Sequence, residues 1–253
     1  MAKGRFLLPV PKHIPSQTWE IVGKMKKDEV SRSVLNDTLA MKFAHKLSMK
    51  HYHDQDRHEH VRCKLRELGR LMLQLKNSFP SQIPSLAAAL EPAQFQTLVE
   101  CVRQVSGFNL ETNNFATPSL ALKLGHSLKK CAMILLSEAL QTMSKDQEDK
   151  AKAFIRLCEM EWSSEVSTAA LGTLHSQKLN RMTVLPLTED IVKLHDCLTK
   201  SSAESLEVLQ SACSTESAAK SWLMLAQSVL AQLILFNRRR VGKVSKMTLD
   251  DFS

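Results

Sequence analysis

Apolar side chains recur every three or four residues along most of this sequence, the spacing that places them on one face of an α-helix. The scarcity of turn-forming residues agrees with this pattern, because the 253 residues include only 7 glycines and 8 prolines. Aromatic residues, which favour strands, make up 5% of the chain. We therefore predict an all-α fold with long helices. One representative apolar series, between residues 28 and 50, is Val34, Leu35, Leu39, Phe43 and Leu47.

The helical spacing is interrupted most clearly in "QKLNRMTVLPLTEDIVKLHDCL", residues 177–198. This segment contains Pro186, and a helical pattern restarts at Thr188, a favourable N-cap residue that two acids follow. We place a domain boundary there. The chain is then predicted to consist of a helical N-terminal region, a second helical domain and a C-terminal domain, with the limits 1–110, 111–182 and 183–253.

Charge and cysteine content limit which partners and which metal sites the chain is expected to have. The formal net charge is +8 and the pI is about 9.2, a balance that attracts nucleic acid or anionic membranes. The alternative is a basic soluble protein without such a partner. The six cysteines lack CxxC spacing, so no local zinc site is expected, and no signal peptide is recognised. The apolar segment 222–236 is interrupted by Gln227 and Gln232 and is expected to be a buried helix, too short to span a bilayer.

A histidine-rich stretch is the main candidate for a metal site. "HYHDQDRHEH" offers imidazoles and carboxylates, but it lacks the i,i+4 pairing that directs two rings to one helical face. A solvated turn is therefore the preferred interpretation, and no metal or other cofactor is predicted. The pair Glu159 and Glu161 could suggest acid–base work, but nothing in the sequence places a nucleophile for it, and no phosphate-binding loop or nucleophile elbow is present. The histidines concerned are His51, His53, His58 and His60.

A second feature is a run of cations near the end of the chain. Five basic residues fall within nine positions without an acid among them. Each one that contacts a phosphate would steepen the salt dependence of binding by about 0.9. The alternative is a solvated helix end that complements the helix dipole. These residues are Arg238, Arg239, Arg240, Lys243 and Lys246.

The segment "LAQLILFNRRRVGKVSKMTLDDF" resembles the start of the catalytic domain of the tyrosine recombinase (phage-integrase-like) family. Arg240 falls on the first family arginine, and Lys243 stands where the family usually has glutamate. "LPLTEDIVKLHDCL" resembles the segment that opens these domains. The strings "TPSLALKLGHSLKK" and "ILFNRRRVGKVSKMTL" are similar to those of vertebrate, especially fish, transposon-derived members of the family.

This resemblance implies a nuclear protein that binds double-stranded DNA and derives from a mobile element. Residues 111–182 would be a core-binding, SAM-like helical bundle, and 183–253 the first helices of a truncated catalytic domain. The lysine hairpin, the HxxR helix and the nucleophilic tyrosine of the family are missing, so no enzyme activity is expected and Arg240 would not act alone. Phosphate contacts in the upstream helices are expected from Arg62, Arg66, Lys123, Lys129 and Lys130, whose charges are expected to be largely free.

The alternative function is a helical protein–protein interaction module with no DNA role. Its partner would be a second copy of the chain or another helical protein. The apolar helix 217–236 favours this alternative, because a helix of this kind needs a surface against which to pack.

Overall fold

Helices account for 83% of the residues that the computed structural model describes, which are 14–79, 83–179, 187–211, 215–237 and 241–244. The all-α prediction is confirmed. The chain divides into two compact units, Met1–Arg181 (unit 1) and Met182–Ser253 (unit 2), so unit 2 begins next to the predicted boundary at 183. The predicted boundary between 110 and 111 falls inside unit 1, where helices from both sides of it share one core.

Unit 1 contains nine α-helices among its described residues. A short 3-10 turn at Pro92–Gln94 and a π-helical turn at Ser163–Ser167 interrupt the series. In chain order the helices are α1 Ser16–Val22, α2 Glu29–Leu35, α3 Thr38–His51, α4 Gln55–Ser78, α5 Leu86–Ala89, α6 Phe95–Val105, α7 Pro118–Gln141, α8 Lys145–Met160 and α9 Thr168–Leu179.

The apolar series between 28 and 50 forms two helices instead of the single one that its spacing suggests. Asp37 separates them, and its buried carboxylate accepts hydrogen bonds from two helix N-termini. One oxygen binds the N–H of Ala40 in α3 and the other binds the N–H of Leu86 in α5, both at 2.8 Å. Capping by a carboxylate satisfies backbone donors that a helix start leaves without partners. Asp37 therefore separates α2 from α3 and also holds the start of α5 against the start of α3.

The core of unit 1 lies between α3, α4, α6 and α7, and α8 closes it. Its largest fully buried side chains include Phe43 from α3, Leu68 from α4, Leu98 from α6, Leu128 from α7 and Phe154 from α8. These positions are the apolar stripes of amphipathic helices, which bury one face each. A single core of this kind explains why the helices before and after residue 110 belong to one unit.

A two-residue antiparallel ladder connects α6 to α7. The strands are β1 Phe108–Asn109 and β2 Asn114–Phe115, with Phe108 opposite Phe115. Gly107 precedes β1 with φ +65°, a left-handed conformation that glycine adopts at the end of a helix without strain. The ladder turns the chain back so that α7 packs against α6.

Unit 2 is a helical hairpin among its described residues. Its helices are α10 Thr188–Ser211, α11 Thr215–Asn237 and the short α12 Val241–Val244. Hydroxyl and amide groups line the seam between α10 and α11: Ser228 Oγ lies 3.2 Å from Ser201 Oγ, and Gln232 Nε2 lies 3.4 Å from Ser202 Oγ. Polar side chains thus lie inside this hairpin.

Large apolar side chains lie on the outside of the hairpin. They include Trp222, Leu223, Met224, Leu230 and Phe236, all of which are exposed. The expectation of a buried helix at 222–236 is wrong for unit 2. The expectation that it is too short to span a bilayer is wrong too, because Thr215–Phe236 has 22 residues and a mean hydropathy of 1.4, long and apolar enough to cross a membrane. Gln227 and Gln232 lie within α11 and do not end it. The side chain of Gln232 instead forms a hydrogen bond to α10 across the seam.

Candidate nucleic-acid interface

The basic C-terminal residues lie almost entirely outside the described part of the chain. Arg238, Arg239, Arg240 and Lys246 are outside it, and Lys243 belongs to α12 without a described side chain. The roles expected for all five residues therefore stay predictions.

Arg66 binds an acid within unit 1. Its Nη1 donates to Asp28 Oδ1 at 3.0 Å and its Nη2 to Asp28 Oδ2 at 2.8 Å, and Nη1 also donates to Ser31 Oγ at 3.2 Å. The arginine holds the pKa of Asp28 well below its usual range, and the carboxylate raises the pKa of Arg66. Since Asp28 also caps α2 through the N–H of Ser31, Arg66 fastens α4 to the start of α2.

Three more of the predicted phosphate contacts are paired with acids. The expectation that these charges are largely free is therefore wrong for them, as it is for Arg66. Lys123 and Lys129 each connect α7 to another helix, whereas the Arg62 pair lies within one turn of α4. The pairs are Arg62 Nε with Glu59 at 2.9 Å, Lys123 Nζ with Glu67 at 3.0 Å and Lys129 Nζ with Glu159 at 2.5 Å. Lys130 and Lys123 both lie near Lys64, in a region where cations accumulate, but Lys123 is the one that an acid already binds.

Cations accumulate where the end of α3, the first half of α4 and the middle of α7 come together. Electrostatic interactions link these side chains across the three helices. The rings of His51 and His60 lie edge to face with centroids 6.2 Å apart, which joins the α3 residues to those of α4. We call this set the basic cluster; its members are Lys50, His51, Arg57, His60, Lys64 and Lys130.

Burial and, to a smaller extent, neighbouring cations lower pKa values within the basic cluster. Partial burial lowers the pKa of Lys64, and Lys130 on α7 lowers it further. Burial also lowers the pKa of His51 and of His60, with additional contributions from Arg57 to both. Neighbouring cations disfavour the protonated form of each group. An anion bound at this surface would relieve that repulsion.

Acids compensate the basic cluster only in part. Arg57 lies 3.6 Å from Asp54, which belongs to the turn before α4. Glu67 opposes the shifts of Lys64 and His60, but its Oε1 also binds Lys123. Its Oε2 is buried without a hydrogen-bond partner among the described residues. One half-buried carboxylate thus serves several cations.

Helical spacing explains the placement of the α4 members. Arg57, His60 and Lys64 follow the i, i+3, i+7 rule and share one face of α4, while Arg62 and Arg66 lie on another face, from which Arg66 reaches the start of α2. Lys123 and Lys130 are likewise seven residues apart on α7. The sequence carried this signal for Arg57 and Lys64, but neither was among the predicted phosphate contacts.

The histidine-rich stretch forms the turn between α3 and α4. His58 is buried and its Nε2 donates to the carbonyl oxygen of Tyr52 at 3.0 Å, which fixes this turn. No group of three metal-binding side chains occurs among the described residues, a range that includes 51–60. His58 therefore has a structural role, while His51 and His60 belong to the basic cluster.

The basic cluster is a surface rather than a pocket. Two clefts of unit 1, of about 660 and 640 Å³, are lined by other residues of α2, α3, α4 and α7. No member of the basic cluster lines either cleft. An open cationic surface suits an extended polyanion better than a small molecule that needs enclosure.

Comparison with known proteins adds no relative. No protein-family model, no curated protein and no solved structure matches this chain.

Proposed function

We propose that this protein binds double-stranded DNA through the phosphate backbone, with the basic cluster of unit 1 as the main contact surface. The observation that carries the proposal is the gathering of cations from α3, α4 and α7, which Asp54 and Glu67 compensate only in part. The whole formal excess of +8 falls in unit 1, because Lys and Arg equal Asp and Glu in number, eight of each, in unit 2.

The resemblance of two segments to the tyrosine recombinase family supports the same proposal. The chain would then be a nuclear, mobile-element-derived protein that contacts DNA without cutting it. Its one tyrosine is Tyr52, which lies in the turn before α4 beside His53 and His58. We expect no covalent protein–DNA adduct and no nicking of supercoiled plasmid by this chain; either product would contradict the non-catalytic assignment.

The basic cluster can be tested against a control with the same change of charge. Replacing Arg57, Lys64 and Lys130 by glutamine should weaken binding to a short duplex about tenfold or more and reduce the salt slope by about 2–3. The control replaces Lys145, Lys150 and Lys152 of α8, which are all paired with acids. Fluorescence anisotropy across a salt series measures both quantities, and the control should change affinity less than about twofold.

Two outcomes would contradict the proposal. Equal loss of affinity in both triple variants would mean that net charge alone, and no particular surface, attracts DNA. Absence of binding even at low salt would exclude DNA as a ligand. A further variant that replaces Arg238, Arg239 and Arg240 by glutamine measures the separate contribution expected of the C-terminal cations. An unrelated duplex should bind equally well, because phosphate contacts carry no sequence information.

A second candidate function, protein–protein interaction through unit 2, is favoured by the exposed apolar side chains of α11. Patches of this kind mark surfaces that another molecule covers. The basic cluster lies in unit 1 and α11 lies in unit 2, so binding through either surface can hold without the other. Light scattering of the protein at increasing concentration, without DNA, measures whether a complex forms.

A further inference from the structure

The outer face of α11 carries a regular repeat. Ala219, Leu223, Ala226 and Leu230 follow one another at intervals of four, three and four residues, the spacing of a helix–helix packing seam. Leu223 is 51% exposed and Leu230 is 42% exposed. At 100° per residue this face lies opposite Ser228 and Gln232, the side chains that bond to α10. The hairpin partner therefore does not cover this seam.

Large and small residues alternate along the seam, which makes it complementary to itself. When two such helices run antiparallel about a two-fold axis, Leu223 lies opposite Ala226 of the second copy and Leu230 lies opposite Ala219. Each leucine then fills the space that an alanine leaves, as close packing of helices requires. A two-fold interface needs this reciprocity, in which residue i contacts residue j and j contacts i.

Charge is compatible with the same arrangement. Lys220 is the nearest cation to the seam, and it is already paired with Glu216 at 3.0 Å on its own helix. In the antiparallel pair it lies beside Gln227 of the second copy, so no like charges meet. On the other flank Trp222 lies beside Val229, and both are exposed apolar side chains.

We infer that α11 is a homodimerisation helix, which packs antiparallel on α11 of a second copy of this chain. This inference rests on the second candidate function, and it names both the partner and the seam. A lipid bilayer is a less suitable occupant, because α11 is joined to α10, whose opposite face carries Lys193, Asp196, Lys200, Glu204 and Glu207.

The alternation of large and small side chains gives a test that distinguishes specific packing at this seam from non-specific hydrophobic association. Ala226→Leu adds apolar surface, so it would strengthen non-specific association, but it places leucine against Leu223 of the second copy. In the full-length protein it should raise the dimer dissociation constant about tenfold or more. The double variant Leu223→Ala with Ala226→Leu exchanges the two sizes and should restore dimerisation. Ala203→Leu, the same change at an exposed position of α10, is the matched control and should have little effect.

Sedimentation equilibrium without DNA gives the dissociation constants, and circular dichroism verifies that each variant keeps its helix content. A monomer at all concentrations would overturn the inference, as would a dimer that Ala226→Leu leaves unchanged or strengthens. Binding to anionic phosphatidylserine vesicles without dimer formation would assign α11 to membranes instead. Because DNA binding is measured separately, loss of one property leaves the test of the other intact.

Discussion

Within about two and a half turns of α4, cationic residues have different surroundings. Arg57, His60 and Lys64 face the junction with α3 and α7, where cations predominate. Arg62 and Arg66 project from another face and bind Glu59 and Asp28. The face of a helix, and not the number of its cations, decides which charges can meet an external phosphate.

The sequence indicates these faces but cannot identify every partner. The i, i+7 spacing of Arg57 and Lys64 predicts a shared face from the sequence alone. The partner of Arg66 is 38 residues away, and only the packing of α2 on α4 brings Asp28 within 3 Å. Long-range pairs of this kind depend on tertiary structure. A cation with no acid near it in sequence can therefore be paired with one in the folded protein.

Removal of the Arg66 guanidinium should reveal its structural role. Arg66→Ala should lower the free energy of unfolding by about 1–2 kcal/mol at pH 7, because the half-buried Asp28 loses two charge-assisted hydrogen bonds. The pKa of Asp28 is depressed in the folded state, so the contribution is fully present above the unfolded value, about 3.9, and is lost as pH falls below it. Urea titrations at several pH values measure both effects.

Arg156→Ala is the control for this prediction, since Arg156 is an exposed arginine of α8. It should change the free energy of unfolding by less than about 0.5 kcal/mol. If the difference between wild type and Arg66→Ala stayed constant from pH 7 to pH 3, the pair with Asp28 would not be its cause.

The two histidines of the basic cluster should make DNA binding depend on pH. Burial and neighbouring cations lower the pKa values of His51 and His60, so both rings are neutral at pH 7.5 and gain protons only below the ordinary histidine value of about 6.5. Two added positive charges should tighten binding about threefold to tenfold beyond the change seen in a His51→Gln, His60→Gln variant. Anisotropy at constant ionic strength measures the difference. A variant with the full pH dependence of the wild type would assign it to other groups.

At the scale of the elements, the close approach of α7 to Trp162 depends on a glycine. A Cβ added at Gly125 would lie 2.4 Å from Trp162 Nε1, and Trp162 packs edge to face on Phe95 in the core. Gly125→Ala should therefore destabilise unit 1 by about 1–3 kcal/mol. Thermal unfolding followed by tryptophan fluorescence measures the shift.

Gly172 in α9, unlike Gly125, has space around it for a side chain. Nothing lies within 4 Å of a Cβ added there, so Gly172→Ala should stabilise the helix by about 0.5–1 kcal/mol. Destabilisation by both substitutions would show that α7 and α9 tolerate no added side chain, for a reason other than contact with Trp162.

Long helices and their apolar stripes could be predicted from the sequence, since both follow from local spacing. The break at Asp37 could not, because its carboxylate also caps α5, which lies far along the chain. The inside-out pattern of α11 was missed for another reason. An apolar segment normally predicts burial, and only the hairpin geometry shows that Ser228 and Gln232 take the inner face.

At the scale of the whole molecule, the two units differ in what they bury. Among the described residues, unit 1 has a continuous apolar core, whereas unit 2 has a polar seam and exposes most of its large apolar side chains. The net charge is divided in the same way, with the excess in unit 1. The described residues of unit 1 therefore offer a cationic surface at the basic cluster, and those of unit 2 an apolar surface along α11.

Hydrogen exchange should separate the two units. Amides of α10 and α11 should exchange faster than those of α4 and α7, because little apolar burial opposes opening of the hairpin. Raising the protein concentration should slow exchange in α11 and leave α4 unchanged, since a dimer protects only its own interface. Mass spectrometry of peptic fragments gives both comparisons. Uniform protection across the two units would contradict this division.

The shared cap at Asp37 also matters for the order in which the chain is made. The residue leaves the ribosome 49 positions before Leu86, whose N–H binds its second carboxylate oxygen. Until the segment around Leu86 emerges, one carboxylate oxygen of Asp37 can cap α3, while the other can accept hydrogen bonds only from water. The carboxylate becomes buried when α5 packs against it. Contact between the early helices and α5 can therefore be completed only after the segment around Leu86 has been synthesised.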